Sequence, residues 1–154
     1  MKPYADTNLF TRLYLQLPET TQVLQWIEHA RRNEAAAIPV TWLHRMEFVN
    51  AVQQHVFAGN TGQLRVTSEQ AAIALMSFRE DISHDEFLHS SLIELNELEQ
   101  QFEELSLRHT AKHGFRTYDL LHVASALLLK CDTFWSFDPK ASKLAGLEGL
   151  KIRR

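Results

Sequence analysis

Short apolar segments alternate along this chain with longer stretches of helical period, and that alternation restricts the fold more than any other feature. Residues 3–5, 36–40 and 133–137 read as strands, and Leu150-Lys151-Ile152 reads as a final edge strand. Between them lie amphipathic stretches. One begins at Leu9 and is stopped by Pro18, and the next carries Val23, Trp26, Ile27 and Ala30 at helical spacing. A helix over about 41–58 places Trp42, Val49, Val52 and Val56 on one face, with Gly59 past its end and a loop from Asn60 to Val66. Thr67 and Gln70 form a capping box that opens a helix to about Phe78. Leu95, Leu98, Phe102 and Leu105 mark a helix that Gly114 ends, too short a seam for a coiled coil. Thr117 caps a strongly apolar helix over 118–130, and Asp138-Pro139 starts one running to about Leu147. Strands that alternate with helices imply a parallel sheet covered on both faces. The expected architecture is a three-layer α/β/α sandwich around a central, mainly parallel sheet of four or five strands. The count turns on residues 86–89, where a short strand around Phe87-Leu88 is left open. No repeat or linker divides residues 1–154, so one domain is expected.

Composition excludes several classes. The chain has 154 residues, 45% of them hydrophobic and 23% charged, a balance suited to a packed core. No apolar run approaches the roughly 18 residues of a membrane span. The first residues lack the apolar stretch of a secretory signal, so a cytoplasmic location is expected. The single cysteine, Cys131, lies between an apolar helix and an apolar strand and reads as a buried, inert thiol. A net charge of −3 does not mark a general nucleic-acid binder. Contact with nucleic acid would need a local basic patch, or a cation bound in an acidic cleft.

Four acids stand out. Asp6 and Asp138 directly follow strands, which places both at the carboxyl edge of a parallel sheet, where such folds bind ligands. Asp119 lies in the first turn of the 118–130 helix and joins them if that helix enters from the same side. Glu47 lies within the 41–58 helix, roughly opposite the Trp42/Val49/Val52/Val56 stripe. Each has an ordinary explanation alone. Asp6, Asp119 and Asp138 suit helix N-termini, and Glu47 suits a solvated face. Together they are harder to dismiss. Carboxylates gathered at one edge repel unless one is protonated or a cation joins them, and oxygen-only ligands suit Mg²⁺ or Mn²⁺. Asp132 precedes its strand and belongs at the opposite edge, so it serves as an internal control.

These segments resemble those of PIN domains. Tyr4-Ala5-Asp6-Thr7-Asn8 is similar to the PIN opening, an Asp after the first strand followed by a small hydroxyl residue. Arg116-Thr117-Tyr118-Asp119-Leu120-Leu121-His122-Val123-Ala124 resembles the segment of the third acid. Trp135-Ser136-Phe137-Asp138 resembles that of the fourth, with Ser136 at the place of a frequent hydroxyl. Glu47, in Leu43-His44-Arg45-Met46-Glu47-Phe48, falls where PIN domains carry the second acid. The resemblance runs from Tyr4 to about Ile152 and is greatest to VapC-type toxins of toxin–antitoxin pairs. It implies a metal-dependent endoribonuclease that uses Mg²⁺ or Mn²⁺ held by Asp6, Glu47, Asp119 and Asp138. Thr7, Asn8, Arg116 and Ser136 would support that site or the substrate. It also implies RNA as substrate, a homodimer, and a small antitoxin whose tail blocks the site. The alternatives are an RNA-processing or DNA nuclease outside such pairs, and a non-catalytic PIN interaction module.

Other chemistries lack support. His109 and His113 stand one helical turn apart, but no Cys or HExxH pattern supplies the remaining ligands for zinc. There is no GxSxG elbow, no GxxxxGK[ST] loop, and no second Asp after Asp6 of the haloacid-dehalogenase kind. Arg12, Arg45, Lys112, Arg116 and Lys140 are the candidate phosphate contacts. His122, inside the apolar helix, is expected to be a partly buried packing residue rather than a base.

Overall fold

The structure, a computed structural model, describes residues 1–62 and 66–153. The helical elements are α1 (Thr7–Tyr14), α2 (Thr20–Arg32), α3 (Trp42–Asn60), α4 (Ser68–His84), α5 (Leu95–His113), α6 (Thr117–Leu128) and α7 (Pro139–Leu147). The strands are β1 (Pro3–Ala5), β2 (Ile38–Val40), β3 (Leu88–Ser90), β4 (Thr133–Trp135) and β5 (Lys151–Arg153). All pairings are parallel: Tyr4 opposite Phe134, Phe134 opposite Ile152, and Pro39 opposite His89. Among the described residues, no helix is long and apolar enough to cross a membrane.

Side-chain alternation sorts the helices into two layers. Tyr4 and Phe134 point to one face, their rings stacked with centroids 5.6 Å apart, and pack with residues of α5, α6 and α7. Ala5 and Trp135, the next residue in each strand, point the other way into a core built with α1 to α4. The three-layer expectation therefore holds in kind.

The strand count differs. The sheet has three strands in the order β1-β4-β5, and β2 and β3 form a separate pair. β2 lies beside β1 without a backbone ladder. Pro39, at the centre of β2, has no N–H to donate. The Ala5 carbonyl, which a neighbouring strand would bond, instead meets the His44 ring at 2.8 Å. The strand left open over 86–89 does form, shifted to 88–90, and it pairs only with β2.

Element ends shift for local reasons. The box predicted at Thr67 is present, with the Gln70 N–H donating to Thr67 Oγ1 at 3.1 Å and the Thr67 N–H to Gln70 Oε1 at 2.9 Å. Its helix runs past Phe78 to His84, where Asp85 takes a left-handed conformation. The loop expected from Asn60 to Val66 falls partly outside the described residues, and α3 extends through Gly59 to Asn60. α1 starts at Thr7 rather than Leu9, with Asp6 as its cap, and Arg116, not Thr117, caps α6. Gly114 ends α5 as expected, in the left-handed region at φ 65°.

The expected stripe of α3 holds in its second half, where Val52 is buried and Val56 packs against the core, but not in its first. Trp42 and Val49 are 36% and 41% exposed, whereas Leu43, His44, Phe48 and Val52 are buried. The inward face includes His44, a polar residue that the apolar count passes over. Its ring sits between Tyr4 and Phe10, with centroids 5.0 and 5.4 Å away. Phe48→Ala should therefore cost about 3–5 kcal/mol in urea unfolding, as truncation of a buried Phe does. Trp42→Ala should cost much less. Equal losses would restore the stripe read from periodicity.

Candidate functional site

Asp6, Glu47, Asp119 and Asp138 line one cleft of about 950 Å³, together with Thr7, Asn8, Arg12, Trp42, Arg116, Tyr118 and His122 among others. Parallel strands explain the gathering. β1 and β4 run side by side and end together, and the Asp6 N–H bonds the Trp135 carbonyl at 3.1 Å. Asp6 and Asp138 then cap the helices that leave the sheet, α1 and α7. Asp119 arrives from the first turn of α6, and Glu47 from α3. Asp132 lies at the other end of β4, where it accepts from the Lys2 N–H at 3.0 Å, and it is absent from the cleft.

Asp6 is 4% exposed. Its Oδ1 accepts from the Leu9 N–H at 3.4 Å. Its Oδ2 accepts from Asn8 Nδ2 at 2.7 Å and from the Ser136 hydroxyl. Ser136 Oγ in turn accepts from the Asp138 N–H at 2.8 Å, and Asn8 Oδ1 from the Phe137 N–H at 3.1 Å. Asn8 and Ser136 thereby tie the ends of β1 and β4 around Asp6. Burial raises the Asp6 pKa from 3.8 to about 6, against opposing pulls from His122 and the Ser136 hydroxyl.

Glu47 forms a second group. Its Oε2 accepts from Thr7 Oγ1 at 2.6 Å and meets His122 Nε2 at 2.5 Å. His122 Nδ1 lies 2.9 Å from the Tyr4 hydroxyl. Burial pushes the Glu47 pKa up, but bonding to His122 and Thr7 outweighs it and holds the carboxyl below its ordinary value. His122 is buried, as expected, yet it is also the main partner of Glu47, which the expectation missed. The signal was its spacing: three residues after Asp119 on one helix, it shares that acid's face.

Arg116 joins the remaining two acids. Its Nε donates to Asp119 Oδ2 at 3.0 Å and its Nη2 to Asp119 Oδ1 at 2.8 Å. The same Nη2 also donates to Asp138 Oδ2. Burial works to raise the Asp138 pKa, but Arg116 and the Lys140 and Ala141 N–H groups hold it below its ordinary value. Of the other candidate cations, Arg12 lines the cleft and pairs with Glu19 at 3.3 Å. Arg45 bonds Ser90 at 2.6 Å, Lys140 bonds the Gly114 carbonyl at 3.2 Å, and neither they nor Lys112 line the cleft. His109 pairs with Glu148 at 2.5 Å, a contact that sequence spacing does not suggest, since the two are 39 residues apart.

An all-oxygen set of four carboxylates on one cleft is the donor chemistry that hard divalent cations take. The spacing is another matter. Among the described residues, no three His, Cys, Asp or Glu side chains are gathered closely enough to hold an ion. The donors suit a cation in kind, while a guanidinium stands between two of them.

A parallel α/β protein with paired strand-end acids facing one cleft belongs among the folds that act at the carboxyl ends of their strands. Residues 4–147 match the PIN domain, and the chain belongs to that family, whose members are generally nucleases and commonly depend on metal. No curated protein matches the chain.

Asp6 generates a pH prediction for the ion-free protein. Its folded pKa lies above the unfolded one, so the native state holds the proton more tightly. Stability is therefore lost as pH rises from about 4 through about 6. In chelator, Asp6→Asn should raise the thermal midpoint at pH 7.5, and the gain should vanish below about pH 4. The ceiling is about 3 kcal/mol, reduced by the hydrogen bonds that asparagine remakes poorly. A midpoint that falls at pH 7.5 would contradict the burial cost assigned to Asp6.

Proposed function

We propose that this chain is a metal-dependent endoribonuclease and the toxin of a toxin–antitoxin pair. The observation that carries the nuclease reading is the convergence of Asp6, Glu47, Asp119 and Asp138 on one cleft from four separate elements. Asp6, Asp119 and Asp138 would hold Mg²⁺ or Mn²⁺, with Glu47 completing the set or orienting water. When bound, such a cation lowers the pKa of water and stabilises the charge that develops on a phosphodiester.

The protein's own groups supply the rest. Thr7 and His122 fix the Glu47 carboxylate through Oε2 at the wall of the cleft. Asn8 and Ser136 hold Asp6 in place, and Arg12 offers a cation to the phosphate backbone at the wall of the cleft. The toxin reading rests on the resemblance to VapC and carries with it a homodimer and a small antitoxin that covers the cleft.

A second reading, a non-catalytic PIN module, draws on the engagement of Asp119 and Asp138 by Arg116 rather than by a ligand. Cleavage assays separate the two. RNA cleavage should stop in EDTA and return with Mn²⁺. Asp6→Asn should lower the rate at least about 100-fold, the scale of losing a group that stabilises transition-state charge. Asp132→Asn should leave it unchanged. Cleavage by Asp6→Asn at the wild-type rate would remove the catalytic assignment. For the toxin role, expression in a bacterial host should arrest growth, and co-expression of a short neighbouring reading frame should relieve it. Growth arrest that no neighbouring frame relieves would favour a nuclease outside such pairs.

A further inference from the structure

We propose that Arg116 is the resident counter-cation of the cleft, bound across Asp119 and Asp138 in the ion-free protein and displaced from them when a divalent ion binds. The inference rests on the metal-site reading given above. Its basis is how the hydrogen bonds divide. Asp138 Oδ1 accepts from the Lys140 N–H at 2.7 Å and the Ala141 N–H at 3.3 Å, while Oδ2 is held by Arg116. Asp119 Oδ2 accepts from the Arg116 backbone N–H at 2.9 Å, a bond that survives any swing of the side chain. Asp119 Oδ1 is held by the guanidinium. Each acid thus has one oxygen anchored by backbone N–H, which at Asp119 also takes Arg116 Nε at 3.0 Å, and a second oxygen held by the guanidinium. Departure of the guanidinium would leave two oriented carboxylate oxygens beside each other in the cleft.

The occupant is also the movable member. The Arg116 side chain is 58% exposed, against 4% for Asp119 and 26% for Asp138. Water and salt compete for the exposed guanidinium, so it is the partner that can swing away, while the acids stay fixed by the backbone. A monovalent, planar cation offers directed hydrogen bonds, whereas a compact divalent ion offers twice the charge to the same oxygens. The two compete for one charge vacancy. Arg116 therefore offsets one of the two negative charges while no ion is present and weakens ion binding by the free energy of its own contacts.

Mn²⁺ titration of chelator-stripped protein, read by the paramagnetic resonance of free Mn²⁺, tests this without any activity assay. Wild type should bind and Asp6→Asn should bind more weakly, which checks the site itself. Arg116→Gln should bind on the order of tenfold more tightly than wild type, the scale of losing a competitor that pairs with both acids. Its ion-free thermal midpoint should fall while its Mn²⁺-induced rise grows. Binding equal to or weaker than wild type would overturn the competition and leave the metal site standing. No binding by either protein would overturn both. A second readout needs only one variant for assignment. The Arg116 Nε–H signal, identified by its loss in Arg116→Lys, should be protected from exchange in EDTA and lose that protection at saturating Mg²⁺. Unchanged protection in wild type that binds Mg²⁺ would likewise overturn the proposal.

Discussion

Like-charge repulsion at one edge of a parallel sheet is the constraint that organises this protein. Unit charges about 4 Å apart interact by roughly 4 kcal/mol at the effective dielectric near a protein surface. Two carboxylates bonded to one guanidinium nitrogen, as Asp119 and Asp138 are, lie in that regime. The structure meets the cost with three devices. Asp6 is buried among hydrogen-bond donors and carries a raised pKa. Glu47 is paired with His122 and Thr7. Asp119 and Asp138 share an arginine. Each device has a different stability cost, and none is needed by a helix cap alone.

The same interactions support the scaffold. Asn8 and Ser136 bridge the ends of β1 and β4, so the residues that orient Asp6 also close the edge of the sheet. Tyr4 stacks on Phe134 in the core and reaches His122 with its hydroxyl, linking the core to Glu47. His44 bonds the last carbonyl of β1, so the strand that presents Asp6 is held by a side chain where a neighbouring strand would pair.

Much of this was legible in the sequence because it follows from local rules. Asp6 and Asp138 directly follow strands and cap helices, and parallel strands bring such positions to one edge. Asp132, before β4, fell at the other end for the same reason. What was not legible depends on contacts between distant residues. Periodicity placed Trp42 and Val49 inward because it counts apolar residues and passes over His44, which bonds Thr41 locally but finds the Ala5 carbonyl only in the assembled fold. The split of the strands into three and two follows from Pro39 and that same histidine. His122 looked like packing because its partners, Tyr4 and Glu47, lie 118 and 75 residues away. Arg116 was recognised as close to an acid, but its bridge to Asp138 spans 22 residues and needs α6 and α7 side by side.

The central claim is that these acids share one divalent ion. Anomalous diffraction at the manganese edge, from crystals of wild-type protein grown with Mn²⁺, measures it directly. The account predicts a peak between Asp6, Asp119 and Asp138, with the carboxylates turned toward it. A map with no peak there, from crystals in which the cleft is open to solvent and Mn²⁺ is in large excess, would contradict it.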